Sequence, residues 1–239
     1  MIRDQKGGLF TWLLDRYIHR KLQGAFRGVW VRGAFPSAEG GLIAYFNHSS
    51  FWDGFIAQQL TELAGWNGFA MMEEENLAKY RFHTRIGAFG VRRGDAQSAM
   101  ASIRYARAVL QRPKAALVIF PEGEIHAGQG PLGTLQRGIE VLARASKVRS
   151  VPIAVRYAFL EHEHPDVLIE IGTPHAPGPL ADFEQGLGET YARVLSARSV
   201  EGFRRIVRGR TSVQERWDSV RRLPAASGSS VVTSGAVDR

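Results

Sequence analysis

A histidine and an aspartate five positions apart directly follow an apolar run, in Asn47-His48-Ser49-Ser50-Phe51-Trp52-Asp53. A carboxylate that accepts one imidazole N–H fixes the tautomer and leaves the other ring nitrogen free to take a proton. His48 and Asp53 are therefore a candidate base and its orienter. The competing reading gives both only turn and cap hydrogen bonds, with Ser49 or Ser50 capping the helix that follows. A second polar group, Phe120-Pro121-Glu122-Gly123-Glu124-Ile125-His126, also follows an apolar run. There proline stops the strand, glycine allows close approach or a positive φ, and Glu122 sets a carboxylate at the mouth. The third, Gly87-Ala88-Phe89-Gly90-Val91-Arg92-Arg93-Gly94, places two guanidinium groups in a Gly-flanked loop suited to bidentate phosphate binding. Taken singly, each is also what a structural turn or a pair of solvated arginines looks like.

The elements around these groups alternate. Gly28–Arg32, Leu42–Phe46, Gly68–Met72, Ala115–Phe120, Val151–Phe159 and Val167–Ile171 read as strands. Gly54–Leu63, a stretch from an Asp95 N-cap to about Gln111, and Thr134–Ala145 read as helices, with Met100, Ile103, Ala106 and Leu110 on one face of the second. Alternation of this kind predicts an α/β fold with a mixed, largely parallel sheet flanked by helices. Ligands of such sheets collect at the carboxyl ends of strands, where all three polar groups fall. Two further segments flank this core. Leu9–Phe26 reads as an amphipathic helix, with Phe10, Leu13, Leu14, Tyr17, Ile18 and Leu22 at three/four spacing and Arg16, His19, Arg20 and Lys21 on other sides. Tyr191–Arg222 reads as an Arg-rich helical segment with a break near Gly202 or Gly209.

At 239 residues, 44% hydrophobic and 23% charged, the chain can bury a sizeable core and is not wholly disordered. With no cysteine it has no disulfide scaffold, no thiol nucleophile and no Cys-ligated metal. A formal charge of +8 favours phosphate-bearing partners, or simply a solubilising surface. No run reaches the 18 or so apolar residues of a membrane span, and Leu9–Leu14 is too short for a signal-peptide core.

In this order and at these separations, the groups resemble the glycerolipid (lysophospholipid) acyltransferase family. The family's Asn-His-x-x-x-x-Asp is matched by Asn47, His48 and Asp53. Its Gly-x-x-Phe/Ile-x-x-Arg is matched loosely by Gly87 and Arg93, with Gly90 at the bulky position. Its Phe-Pro-Glu-Gly-Thr-Arg-Ser is matched by Phe120, Pro121, Glu122 and Gly123, and its apolar Val/Ile-Pro-Ile/Val by Val151, Pro152 and Ile153. The resemblance covers roughly Val29 to Gly172. It implies acyl transfer from a thioester to a lipid hydroxyl, with His48 as general base and Asp53 as its orienter. Asn47, Arg92, Arg93, Phe120, Pro121, Glu122 and Gly123 would contact substrate. It implies no metal and no bound cofactor, with acyl-CoA or an acyl carrier protein thioester as co-substrate. One departure matters: Glu124-Ile125-His126 stands where the family has Thr-Arg-Ser, so an apolar side chain replaces an Arg that helps hold an acceptor phosphate. Arg92 and Arg93 would compensate, or the acceptor is a non-phosphorylated lipid alcohol or glycolipid.

The expected organisation is one acyltransferase domain over 1–223, comprising a membrane-facing helix (1–27), an α/β core (28–190) and a basic helical segment (191–223), with a disordered tail over 224–239. A family member works at a bilayer, so the expected partners are an anionic lipid surface and the lipid acceptor. The expected location is peripheral, on the cytoplasmic face of a membrane. A nucleic-acid binder using Arg193–Arg222 is the non-enzyme alternative, but it lacks a recognised motif and leaves the strand-end groups unexplained. His162, Glu163, His164 and His175 as metal ligands are the third reading, against a polar hairpin loop.

Overall fold

In the computed structural model, the described residues are 2–92, 96–126 and 130–221. The expected Asp95 cap, Arg93 and the tail over 224–239 lie outside them. The chain opens with α1 (Gly8–Ala25), then β1 (Gly28–Arg32) and β2 (Leu42–Phe46), both with the bounds the sequence predicts. It continues through α2 (Asp53–Leu63), β3 (Asn67–Glu73), α3 (Glu74–Lys79), a 3-10 turn over Arg81–Ile86, β4 (Ala88–Val91), α4 (Ala96–Leu110) and β5 (Ala115–Ile119). The last elements are α5 (Gly138–Ser146), β6 (Arg149–Ala158), β7 (Asp166–Ile171), α6 (Leu180–Ser196), β8 (Arg204–Arg208) and α7 (Val213–Arg221).

The strands form one sheet in the order β4-β3-β5-β2-β6-β7-β1-β8. The first five run parallel. β7 turns back antiparallel to β6, β1 lies parallel to β7, and β8 closes the edge antiparallel to β1. Alternation along β2 shows how both faces are covered. Leu42, Ala44 and Phe46 join a core with α1 and α2, through Ile18, Leu22, Ile56 and Leu60. Ile43 and Tyr45 face α4, α5 and α6, through Leu110, Leu142 and Phe183. A central parallel strand covered on both sides must be apolar throughout, and all five residues of β2 are buried.

This topology creates a crevice. The connection leaving β2 passes through α2 on one face, and the connection leaving β5 passes through α5 on the other, while β2 and β5 are neighbours. Oppositely directed connections from adjacent carboxyl ends define a topological switch point, where open α/β sheets bind ligands. His48 and Glu122 follow those two strands.

Several expectations need correction. The Arg-rich segment is not one helix. Helix α6 begins eleven residues before Tyr191 and ends at Ser196, and an edge strand and a short helix follow. Ile206 and Val207 supply the β-branched residues, Val207 is buried opposite Val29, and the helix breaks foreseen at Gly202 and Gly209 instead flank the strand. The Gly-flanked arginine loop contains strand β4, so Arg92 sits at a strand end. Helix α5 starts four residues later than Thr134, and Met100 is exposed rather than on the buried face of α4. Helix α1 divides its apolar residues: Ile18 and Leu22 are buried and Leu14 packs on the core, whereas Leu9, Trp12, Leu13 and Tyr17 face solvent.

Candidate active site

Strand β2 ends inside the crevice, and the chain is pinned there at once. Asn47 is buried and its amide is fully used: Nδ2–H donates to the Val155 carbonyl at 3.0 Å, and Oδ1 accepts the Val155 N–H at 2.7 Å. The side chain thus extends the β2–β6 pairing past the end of β2. Sequence reasoning made Asn47 a substrate contact. It does line the cleft, but its polar atoms are spent on β6.

His48 comes next. Its Nδ1 lies 2.9 Å from Asp53 Oδ2. Oδ2 also accepts the Ser49 and Ser50 N–H groups at 2.7 and 2.8 Å, and Oδ1 accepts the Tyr157 hydroxyl at 2.6 Å. Asp53 is fully buried at the first residue of α2, where negative charge is favoured by the helix dipole. A carboxylate met by the Ser49 and Ser50 amides and the Tyr157 hydroxyl is an acceptor toward Nδ1–H as well. The imidazole is therefore the Nδ1–H tautomer, and Nε2 is left as an acceptor. The ring stacks on Phe120, with centroids 4.3 Å apart and planes inclined by 26°, and its side chain is 21% exposed. Neither Ser49 nor Ser50 caps α2: Ser50 Oγ accepts the Trp52 N–H, and the carboxylate of Asp53 takes the turn's amides instead.

From β5, Phe120 and Pro121 lead into Glu122, which is 4% exposed. Glu122 Oε1 accepts the N–H of His48, and Oε2 accepts that of Gly133, both at 2.7 Å. The His126 N–H donates to the His48 carbonyl at 2.8 Å. The carboxylate therefore ties together the end of β2, the turn after β5 and the loop before α5. Gly123 has φ +79°, the left-handed value that suits glycine, and its N–H closes the turn onto the Phe120 carbonyl. That amide is engaged within the turn. A Cβ at Gly133 would lie 2.4 Å from His126 Nε2 and 2.9 Å from Glu122 Oε2, so the imidazole and the carboxylate would have to shift to admit it.

A narrow cleft reaches this centre, lined by Asn47, His48, Ser49, Glu122, His126, Gly130, Pro131, Leu132 and Tyr191. Burial, then the charge of Glu122, raise the Tyr191 phenol above its ordinary pKa, and the hydroxyl donates to the Gly130 carbonyl at 3.2 Å. Ile125 points away into solvent, 50% exposed, and Glu124 is more exposed still. Arg92 belongs to the same edge of the sheet but not to the cleft. It follows β4, three strands from β2 or roughly 14 Å across the sheet, and pairs with Glu74 at 3.1 Å. A wider cleft, about 490 Å³, lies at the amino end of β3, away from His48, where Asp4, Lys6, Asp15 and Arg112 line it. Its Lys6 donates to Asn67 and to the Gly68 carbonyl, and Asp4 pairs with Arg112.

Sequence reasoning missed Tyr157 and Tyr191 as site residues, because their contacts span strands and helices far apart in the chain. Only strand periodicity pointed at Tyr157, which is two and four residues beyond Val155 and Ile153 on β6 and so shares their face. His162 and His164 lie on the loop between β6 and β7, where Glu163 accepts the Val213 N–H at 2.8 Å. His175 instead accepts the Tyr45 hydroxyl. Among the described residues, no three His, Asp or Glu side chains are placed to hold a metal ion.

A parallel sheet whose switch point holds an imidazole backed by a buried carboxylate defines a site for acid–base chemistry on a bound ligand. The model of the Acyltransferase family matches residues 28–156, more than half of the chain and the part that carries β1 to β6. The chain belongs to this family, the glycerolipid acyltransferases. A comparison with the curated proteins matches none.

Proposed function

We propose that this acyltransferase moves a fatty acyl group from an acyl thioester, acyl-CoA or acyl carrier protein, to a hydroxyl of a lysophospholipid or related lipid. The supporting observation is the 2.9 Å contact of His48 Nδ1 with a buried Asp53, with Nε2 left free beside a cleft that reaches Glu122. A hydroxyl is a poor nucleophile at neutral pH. Nε2 accepts its proton as the oxygen attacks the thioester carbonyl, which is worth typically ~10²–10⁴-fold. Asp53 holds the ring and stabilises the imidazolium, as in serine hydrolases, but here the substrate's own hydroxyl takes the place of the serine. The tetrahedral intermediate collapses, the thiolate leaves, and the imidazolium returns the proton to it. The test is transfer of label from an acyl thioester to lyso-lipid by the parent and by His48→Ala. Undiminished transfer by the variant removes His48 from the mechanism.

The acceptor need not carry a phosphate beside the nucleophilic hydroxyl. Among the described residues no Lys or Arg lines the cleft, Ile125 replaces the usual Arg, and Arg92 is ion-paired three strands away. Lyso-lipids with neutral headgroups are then acylated at least as well as lysophosphatidic acid. A strong preference for the phosphate monoester would restore a phosphate site.

The bilayer partner is proposed for α1. No helix among the described residues is long and apolar enough to cross a membrane. Leu9, Trp12, Leu13 and Tyr17 are exposed along α1, next to Arg16, Arg20 and Lys21, which is the composition of a helix lying in an interface.

A further inference from the structure

We propose that Tyr157 is a positioning residue of the acyl-transfer site, the third member of a Tyr157–Asp53–His48 chain whose hydroxyl sets how much charge Asp53 presents to the imidazole. This rests on the reading of His48 as the base. The hydroxyl donates to Asp53 Oδ1 at 2.6 Å, while the other three donors, including His48 Nδ1–H, converge on Oδ2. Each carboxylate oxygen therefore has a distinct task, and Tyr157 is the donor on the oxygen turned away from His48.

The phenol is built to stay a donor. Burial, then the charge of Asp53, raise its pKa far above that of free tyrosine, so it does not ionise in the range where His48 works. The ring is held by β6 and by Phe26 at the end of α1, 5.7 Å between centroids. A hydrogen bond on a carboxylate spreads its charge and weakens its hold on a neighbouring imidazolium. Removal of the Tyr157 hydroxyl concentrates charge on Asp53, stabilises protonated His48 and moves its titration to higher pH. The other titratable groups around His48 are Glu122 and His126 from the β5 turn and Tyr191 from α6. Of these, only His126 is a second imidazole in the cleft.

The experiment is the pH profile of kcat/KM for acyl transfer, in a His126→Gln background that leaves His48 as the cleft's single imidazole. Tyr157→Phe is expected to move the acid limb upward by about half to one pH unit. It is also expected to lower kcat several-fold, with KM for both substrates within about twofold. A limb that stays where it was, or a change in KM alone, overturns the proposal. If Tyr157→Phe does not fold, full-length chain made with 3-fluorotyrosine in a Tyr191→Phe background serves instead. The fluorinated phenol is a stronger donor, so the limb is expected to move downward, and an unmoved limb overturns the proposal. His48→Ala separates the two layers. An active His48→Ala sinks the general-base reading and Tyr157's role with it. An inactive His48→Ala with an unmoved limb sinks the role of Tyr157 alone.

Discussion

Three buried side chains at the crevice have polar atoms that are all engaged, and they differ in what their loss would do. Asp53 is expected to act through His48. Asp53→Asn can no longer hold the Nδ1–H tautomer with a full charge, so kcat is expected to fall by orders of magnitude with KM little changed; a change confined to KM in steady-state kinetics would speak for a purely structural role. Asn47 is expected to act on stability. Asn47→Ala leaves the Val155 N–H and carbonyl buried without partners, at a cost of about 1–3 kcal/mol for each unsatisfied group. Thermal denaturation reads this as a clear drop in melting temperature, and an unchanged melting temperature would show that water replaces the amide. Gly133 tests the brace formed by Glu122. Gly133→Ala drives a methyl into Glu122 Oε2 and His126 Nε2, so activity is expected to fall far more than stability; full activity would mean that this brace is not needed to hold His48. At this scale the sequence carried the pair but not its surroundings. The five-residue spacing marked His48 and Asp53 as a pair, and the two side chains are in contact at 2.9 Å. Tyr157, 104 residues away from Asp53, becomes visible only when β6 is placed beside β2. Glu122 was legible as a carboxylate at a strand end, but its part in holding two backbone amides depends on the loop from residue 130 to 133 folding over it.

Among the elements, β1 and β2 were legible to the residue because continuous or alternating apolar runs end at clear turn residues. The segment from 191 to 221 was not, because arginines on both sides of Ile206-Val207 hide a two-residue strand signal that only pairing with β1 makes decisive. Helix α7 opens on a capping box: the Ser212 N–H donates to Glu215 Oε2 at 3.0 Å, and the Glu215 N–H to Ser212 Oγ at 3.1 Å. Glu215 also pairs with Arg27 at 3.1 Å. Burial works to raise the Glu215 pKa, but the Ser212 amide and the Arg27 guanidinium outweigh it and hold the pKa below the usual 4.5. A carboxylate with a depressed folded pKa stabilises above its unfolded value and loses that contribution as pH falls through the folded value. The docking of α7 is thus expected to be intact at neutral pH and to weaken below about pH 4.5. At neutral pH, Glu215→Gln should speed tryptic cleavage at Arg210 and Arg216. Equal cleavage rates would mean that α7 is held by other contacts. Helix α1 makes the complementary case, since its exposed Trp12 and Leu13 lie on the side opposite Ile18 and Leu22. Substitution of both by serine should leave melting unchanged and weaken vesicle binding several-fold; unaltered binding would move the lipid contact elsewhere.

Over the whole molecule, part of the positive charge lies along one sheet edge, where β8 exposes Arg204, Arg205 and Arg208. Charged side chains protect an edge strand from pairing with another chain, and the same side chains attract an anionic surface. Vesicle binding by the full chain is expected to rise with the anionic lipid fraction. It should fall as added salt shortens the screening length from about 10 Å at 0.1 M toward about 3 Å at 1 M. The carboxyl edge of the five parallel strands brings His48, Glu122 and Tyr157 into one place, and leaves Arg92 at its far end. The most direct test of His48 as the group that takes the acceptor's proton is single-turnover transfer of a labelled acyl chain from thioester to lyso-lipid, in parent and His48→Ala chains of equal melting temperature. Transfer slower by about a hundredfold or more in the variant is the expected result. Equal rates in the two would contradict it.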